Sequence, residues 1–211
     1  MMTPSVRKLA LTVHVSSSVG WLGAVAAFLA LAITGVASDD PQVVRAAYLA
    51  MHLTTWFVIV PLCLAALSTG VVQSVGTTWG LFDHYWVVTK LLLTVIATFL
   101  LFVHTQPIDR VAAVAAKTTL AAGELRQVRF QLIGDACAAL FVLLVTTTLS
   151  VYKPWGMTGY GLRKQIAPTV SSRPAAIRQF VPWGRYILLG TIGLLLLGLL
   201  SHLASGGMHG H

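Results

Sequence analysis

Long apolar segments separated by short polar ones dominate the pattern of this chain. A membrane-spanning helix needs about 20 mainly apolar residues. Five segments reach that length, and we predict spans at about residues 9–36, 46–75, 85–105, 130–152 and 183–203. The pattern therefore predicts an all-α polytopic membrane protein with a four-helix transmembrane bundle and a fifth, C-terminal transmembrane helix. We treat residues 1–211 as a single transmembrane domain.

The segments that bound the predicted spans differ in character. The first span is too long for a signal-peptide core, so we expect it to be retained. Asp39-Asp40-Pro41 ends it, and Pro61 predicts a kink near the middle of the second span. Residues 107–129 are rich in alanine, and we expect the third and fourth spans to continue there as a helical hairpin. Residues 153–182 are basic and rich in Pro and Gly, which predicts a loop on the membrane surface.

Charged residues are too scarce for a water-exposed surface. They make up 9% of the 211 residues, against 56% hydrophobic residues, and the mean hydropathy is +0.81. Soluble domains carry roughly 25% charged residues. This composition excludes a soluble enzyme, a nucleic-acid-binding domain and a disordered protein. We expect the lipid bilayer to surround the chain, and we expect no nucleic-acid partner.

The distribution of Lys and Arg predicts the orientation, because these residues accumulate on the cytoplasmic side. With a cytoplasmic N-terminus, eight of them fall on that side and five on the outer side. The cytoplasmic group is Arg7, Lys8, Lys153, Arg163, Lys164, Arg173, Arg178 and Arg185, and the outer group is Arg45, Arg110, Lys117, Arg126 and Arg129. We predict an inner-membrane protein with its N-terminus in the cytoplasm and its C-terminus outside.

Ionisable residues inside the spans are the main functional candidates, because such groups are costly in lipid and usually face the bundle interior. His52 and His104 fall at similar depth on the second and third spans, where two imidazoles could hold one b-type haem. His14 lies towards the opposite side, where a second site could form with His84 or Lys90. No Cys-x-x-Cys-His stretch exists in the sequence, so covalent c-type haem is excluded.

Each candidate also has a purely structural interpretation. For His14 we weigh a ligand equally against a buried histidine bonded to a carbonyl group. Lys90 either extends towards the membrane surface without a role or pairs with an anionic group such as a haem propionate or Asp83. Asp135 could form a polar cluster with three further residues, His202, Arg45 and Arg129, but we favour a plain interfacial salt bridge. Cys63 and Cys137 fall at depths that differ by roughly 15 Å, so we expect no disulfide between them.

The first three spans also carry a family resemblance. Arg7-Lys8-Leu9, His14 and Gly20-Trp21-Leu22-Gly23 resemble the opening of small bacterial membrane proteins of the HemJ-like protoporphyrinogen oxidase and CopD-like copper-resistance groups. The resemblance covers roughly residues 8–104 and continues through Pro61, Thr69-Gly70, Trp79, Lys90-Leu91-Leu92 and His104. It implies that His14 is the family's first-helix histidine, that Lys90 is its third-helix lysine and that His104 is the histidine that follows. It also implies a b haem within the bundle, and we include Trp21 among the cofactor-binding residues.

Three functional hypotheses follow. The first is a membrane-embedded protein that binds haem b through His52, His104 and His14, with Lys90 neutralising an anionic group. It would transfer electrons or act as a haem-dependent oxidoreductase on a small hydrophobic substrate, with a redox protein or a quinone as partner. The second is copper transport or handling, which rests on the CopD-like resemblance and on Met208, His209 and His211. The third is a non-catalytic membrane scaffold subunit, and a homo-oligomer is compatible with all three.

Overall fold

The structure is a computed structural model that describes residues 3–76, 84–117 and 126–152. Its elements in these ranges are α1 (Pro4–Ala37), α2 (Pro41–Thr54), a π-helical turn (Thr55–Ile59), α3 (Val60–Gly76), α4 (Tyr85–Lys117) and α5 (Arg126–Tyr152). Four helical segments are long and apolar enough to cross a membrane, namely Pro4–Ala37, Pro41–Val75, Tyr85–Lys117 and Arg126–Tyr152. The all-helical, membrane-spanning class is therefore confirmed. The predicted fifth span and the basic loop before it lie outside the described residues.

The second membrane segment begins at Pro41, earlier than the predicted start near residue 46. A carboxylate oxygen of Asp40 accepts a hydrogen bond from the backbone N–H of Gln42 at 2.8 Å. Asp at the N-cap and Pro at the first helical position are a common start for a helix, because Pro has no N–H that needs a partner there. Asp40 and Pro41 thus not only end the first span, as the sequence predicted, but also start the next helix.

Pro61 is accommodated by the π-helical turn that precedes it. Proline has no backbone N–H and its ring clashes with the carbonyl group four residues earlier, which here belongs to Phe57. In π-helical bonding each carbonyl group accepts from the N–H five residues later, and Val60 donates to Thr55 in this way. Phe57 therefore needs no N–H from Pro61. Where the sequence predicted a kink in the second span, the structure shows a change from α-helix to π-helix.

The third and fourth segments extend past their predicted ends. α4 continues through Pro107 to Lys117, and α5 begins at Arg126. Both extensions lie within the stretch where a helical hairpin was expected, and the turn between them lies outside the described residues. This extension brings Asp109 into α4, where its carboxylate can reach the neighbouring helices.

α1 packs against α2, α3 and α5, and α4 packs against α2, α3 and α5. The largest fully buried side chains are Tyr48, Met51, Leu93, Leu132, Val111, Thr55 and Cys63. Both cysteines are free, and Cys63 is buried with its sulfur 3.2 Å from Oγ1 of Thr98. The core therefore lies where all the described helices meet.

Large apolar side chains also cover the outside of the bundle. Phe57 is 74% exposed, Leu9 is 65% exposed and Phe99 is 60% exposed. A contiguous apolar exterior of this kind would be unfavourable in water but suits contact with lipid chains. The exterior and the helix lengths together give the chain the character of an integral membrane protein.

Candidate functional site

His14 is held inside the bundle by contacts with α3 and α4. Its Nδ1 lies 3.0 Å from the carbonyl oxygen of Ala66 and 3.1 Å from Oγ1 of Thr69. Because a carbonyl oxygen can only accept, Nδ1 carries the proton and donates it, and Nε2 of the neutral ring presents a lone pair. The ammonium group of Lys90 lies 3.3 Å from Nε2 and donates to it. Three helices thus bring an imidazole and an ammonium group together.

The charge of Lys90 has no carboxylate partner within residues 3–76, 84–117 and 126–152. Asp83, one partner considered from the sequence, lies outside these ranges. An ammonium group has three N–H donors, and His14 accepts from one of them. A positive charge held within a membrane span favours an anionic partner. Of the two residues expected beside His14, His84 and Lys90, the structure places Lys90 in contact with it.

A glycine lies next to the imidazole of His14. A Cβ added to Gly70 would lie 3.2 Å from Cε1 of His14, so the absence of a side chain at this position makes room for the ring. Ser17 is buried and donates to the carbonyl oxygen of His14 at 3.1 Å. Trp21, two turns further along α1, is only 5% exposed.

His104 meets Asp135 between α4 and α5. Its Nε2 lies 3.1 Å from Oδ2 of Asp135, and its Nδ1 lies 2.6 Å from the carbonyl oxygen of Leu100. The pair borders a largely apolar cavity of about 130 Å³, and Trp21 lies in the wall of the same cavity. His104 lies at the end of the predicted span 85–105 and Asp135 near the start of the predicted span 130–152, so both fall at the outer side of the predicted topology, which is the signal that could have paired them.

His52 meets a second carboxylate. Its Nε2 lies 3.3 Å from Oδ1 of Asp109, and the indole N–H of Trp56 donates to the same oxygen at 3.0 Å. Both His52 and Asp109 are partly exposed. Asp109 falls in the segment 107–129, which was predicted as a helical hairpin after the third span, and this contact between α2 and α4 was therefore not predicted.

Arg129 is a buried residue that the sequence analysis did not single out by itself. It is 7% exposed, its Nε donates to the hydroxyl of Tyr48 at 2.7 Å, and its guanidinium also donates to the carbonyl oxygen of Gly35. Arg45 donates to the carbonyl oxygen of Ala116 at 3.1 Å.

The cluster considered to join Asp135 with Arg45 and Arg129 is therefore wrong, because each of the two arginines contacts other groups. Asp135 contacts His104 instead. The remaining member of that cluster, His202, lies outside the described residues. A similar predicted depth in the membrane carries no information about which helices are neighbours.

The side chains at the site of His14 are an imidazole and an ammonium group, which are donor types that can bind a metal ion and an anion. A histidine that binds a metal through one ring nitrogen commonly donates its other N–H to a carbonyl group, as His14 does to Ala66. Lys90 supplies a cation suited to a propionate. In this structure Nε2 of His52 and Nε2 of His104 face different carboxylates. The predicted pairing of these two histidines around one haem stays a prediction. Among the described residues, no three His, Cys, Asp or Glu side chains are grouped to hold a metal ion.

Comparison with known proteins assigns no function to the chain, so any functional conclusion rests on these side chains. The resemblance to the HemJ-like and CopD-like groups stays a prediction from the residues that carry it. The candidate copper ligands of the C-terminal segment, residues 208–211, lie outside the described ranges. No protein-family model, no curated protein and no solved structure matches the chain.

Proposed function

We propose that this chain is a membrane-embedded b-type haem-binding redox protein in which His14 would hold the haem iron and Lys90 would pair with an anionic group of the haem. The contact between His14 and Lys90 carries the proposal, because it combines an oriented imidazole with a cation that pairs with no described carboxylate. A bound haem supplies one-electron chemistry, which the protein tunes through ligand identity and surroundings. This function includes electron transfer and the oxidation of a small hydrophobic substrate.

The side chains near His14 have separate roles in this proposal. Ala66 and Thr69 fix the ring through Nδ1. Nε2, which accepts from Lys90 in this structure, would bind the iron once Lys90 turns to an anionic group of the haem. Lys90 compensates negative charge inside the membrane, where an unpaired carboxylate would be costly. Gly70 keeps the space beside the ring open. The apolar exterior of the bundle keeps water away from the site.

The first test is the optical spectrum of the detergent-purified protein, oxidised and then reduced with dithionite, with haem and metal content measured on the same sample. We expect the sharp reduced bands of a b-type cytochrome at near-stoichiometric haem. His14→Ala should abolish haem binding, and Lys90→Met should weaken it about tenfold, the effect of losing one hydrogen bond to a charged group. Lys117→Met is the matched control, since Lys117 is an exposed lysine at the end of the same helix.

Two results would contradict the proposal. One is a colourless protein whose spectrum does not change when haem is added back. The other is normal haem binding by folded His14→Ala protein, with circular dichroism as the check of folding. Copper found in the same sample, and lost on removal of residues 208–211, would favour the copper-handling alternative.

A non-catalytic scaffold is the second candidate, and one observation favours it. His14, His52 and His104 each contact a group on another helix, joining α1 to α3, α2 to α4 and α4 to α5. If the histidines only join helices, the purified protein should be colourless. His14→Ala and His104→Ala should then lower its stability and have no other effect. The spectrum described above separates the two candidates.

A further inference from the structure

A second cavity lies at the end of the bundle where α1 ends and α5 begins. It has a volume of about 170 Å³ and is lined by Val36, Arg126, Arg129 and Phe130. A cavity needs only about 10–15 Å³ to hold one water molecule, so this one has room for a larger polar group. Arg126 and Phe130 are exposed on the outside of the bundle, which leaves the cavity accessible from there.

Arg129 brings an unused hydrogen-bond donor to this cavity. A guanidinium group has five N–H donors. In Arg129, Nε donates to the hydroxyl of Tyr48 and Nη2 donates to the carbonyl oxygen of Gly35. Nη1 donates to no described residue, yet it retains accessible surface although the residue as a whole is only 7% exposed. Because Arg129 lines the cavity, a group inside the cavity can accept a hydrogen bond from Nη1.

Positive charge is concentrated beside this cavity. Arg126 is the first residue of α5, and Arg129 lies on the same face one turn later. The start of a helix carries a partial positive charge, which acidic residues in the first turn commonly offset, but α5 has none there. Neither guanidinium group pairs with a carboxylate of the described residues, and that of Arg126 lies over the ring of Phe130. An anion in the cavity would therefore reduce the repulsion between the two arginines.

The depth of the cavity places it at the level of lipid headgroups. α5 has 27 residues and is therefore about 40 Å long. A bilayer with its headgroup regions is about 40–45 Å thick, so the two ends of this helix lie among the headgroups. Phosphate is the common anionic group at that level, and the planar guanidinium group matches its oxygens with parallel N–H donors. Basic pockets between membrane-spanning helices bind such headgroups.

We infer that this cavity binds a phosphate group, which accepts hydrogen bonds from Nη1 of Arg129 and from the guanidinium group of Arg126. The phosphate belongs either to a lipid headgroup, whose chains pass the exposed ring of Phe130, or to inorganic phosphate from the aqueous side. Both sources bring the same oxygens. The site shares no residue with the contact between His14 and Lys90, so its occupancy does not depend on whether the chain binds haem.

Thermal unfolding of the detergent-purified full-length protein, followed by circular dichroism, tests this inference, because a molecule that binds the folded state raises the Tm. The lipid probe is dioctanoyl phosphatidylglycerol, and its control is dioctanoylglycerol, which has the same chains and no phosphate. The second probe is inorganic phosphate, with chloride at equal ionic strength as its control. We expect at least one phosphate probe to raise the Tm above its control, and the probe that does so identifies the source. If neither probe exceeds its control, the inference is overturned.

Two pairs of variants locate the binding. Arg126→Met should weaken binding of the phosphate probe about tenfold, the effect of losing one hydrogen bond to a charged group, whereas Arg110→Met, at an exposed position of α4, should not. Val36→Phe fills the cavity and should abolish binding, whereas Ile33→Phe adds the same ring at an exposed position of α1 and should change nothing. A response of Arg126→Met equal to that of the unmodified protein would overturn the inference even if Val36→Phe did not fold.

Discussion

Gly35 shows how one missing side chain permits a buried charge. A Cβ at this position would lie 2.7 Å from Cζ and 2.9 Å from the hydroxyl oxygen of Tyr48. That hydroxyl accepts from Arg129, and the carbonyl oxygen of Gly35 accepts from the same guanidinium. The Arg129 guanidinium also lies over the Tyr48 ring, 5.6 Å from its centroid, where the ring face attracts a cation. Three helices thus hold a buried arginine without a described carboxylate.

Gly35→Ala should therefore destabilise the protein by about 1–3 kcal/mol, the usual cost of forcing an extra carbon into a packed site. The new methyl group would displace Tyr48 and weaken its contact with Arg129. Thermal unfolding in detergent, followed by circular dichroism, measures the change. Gly23→Ala is the control, because a Cβ at Gly23 meets nothing within 4 Å. Equal stability of the two variants would contradict this account.

The sequence indicated which ionisable side chains lie among the helices better than it indicated their partners. His14 and Lys90 were placed on one side of the membrane by counting residues along their spans, and the structure brings them into contact. The contacts of His104 with Asp135 and of His52 with Asp109 were not predicted. Helical spacing gives the depth and the face of a side chain, but partners depend on which helices are neighbours and how they are rotated.

At the scale of the helix, apolar length alone predicted the four described membrane segments, because lipid contact demands a long continuous apolar stretch. The helix ends were predicted less well than the helices. α2 begins at Pro41, after the N-cap Asp40, and not near residue 46, and α5 begins at Arg126 and not near residue 130. The type of helix at Thr55–Ile59 was not predicted. Proline indicates that the bonding pattern must change, whereas the packing of neighbouring helices decides how it changes.

Deletion of Val58 together with Pro61→Ala should be tolerated. A π-helical turn contains one more residue than the α-helical turn it replaces, so the deletion restores continuous α-helix and keeps both flanking faces in place. Deletion of Leu53 together with Pro61→Ala is the control, because a residue lost from α-helix rotates one flank by about 100° relative to the other. The yield of monodisperse protein and the Tm measure both. Similar losses in the two variants would argue against this role of the turn.

At the scale of the whole molecule, polar contacts join the bundle at both ends. His14, Thr69 and Lys90 lie near one end, and His52, His104 and Arg129 lie towards the other. Each contact crosses between helices, while apolar residues face outwards. Two ends with different chemistry make the orientation in the membrane functionally important, and the distribution of Lys and Arg predicts an N-terminus in the cytoplasm.

Single cysteines near the helix ends test that orientation. In a Cys63→Ala, Cys137→Ala background, Asp39→Cys lies between α1 and α2, and Ser5→Cys lies at the start of α1. A membrane-impermeant maleimide added to intact cells should label Asp39→Cys, because the predicted topology places it outside. Ser5→Cys should react only after lysis. The reverse pattern of labelling would establish the opposite orientation.

The contacts of α4 also set an order of assembly during synthesis. Lys90 meets α1 and Asp109 meets α2, so two of its polar groups contact helices that are made before it. His104 meets Asp135 of α5, which is made afterwards. Polar groups in a nascent span are costly until neighbouring helices satisfy them. α4 can therefore pack against α1 and α2 as soon as it leaves the insertion machinery. The cavity beside His104, whose wall includes α5, is the last of these sites to form.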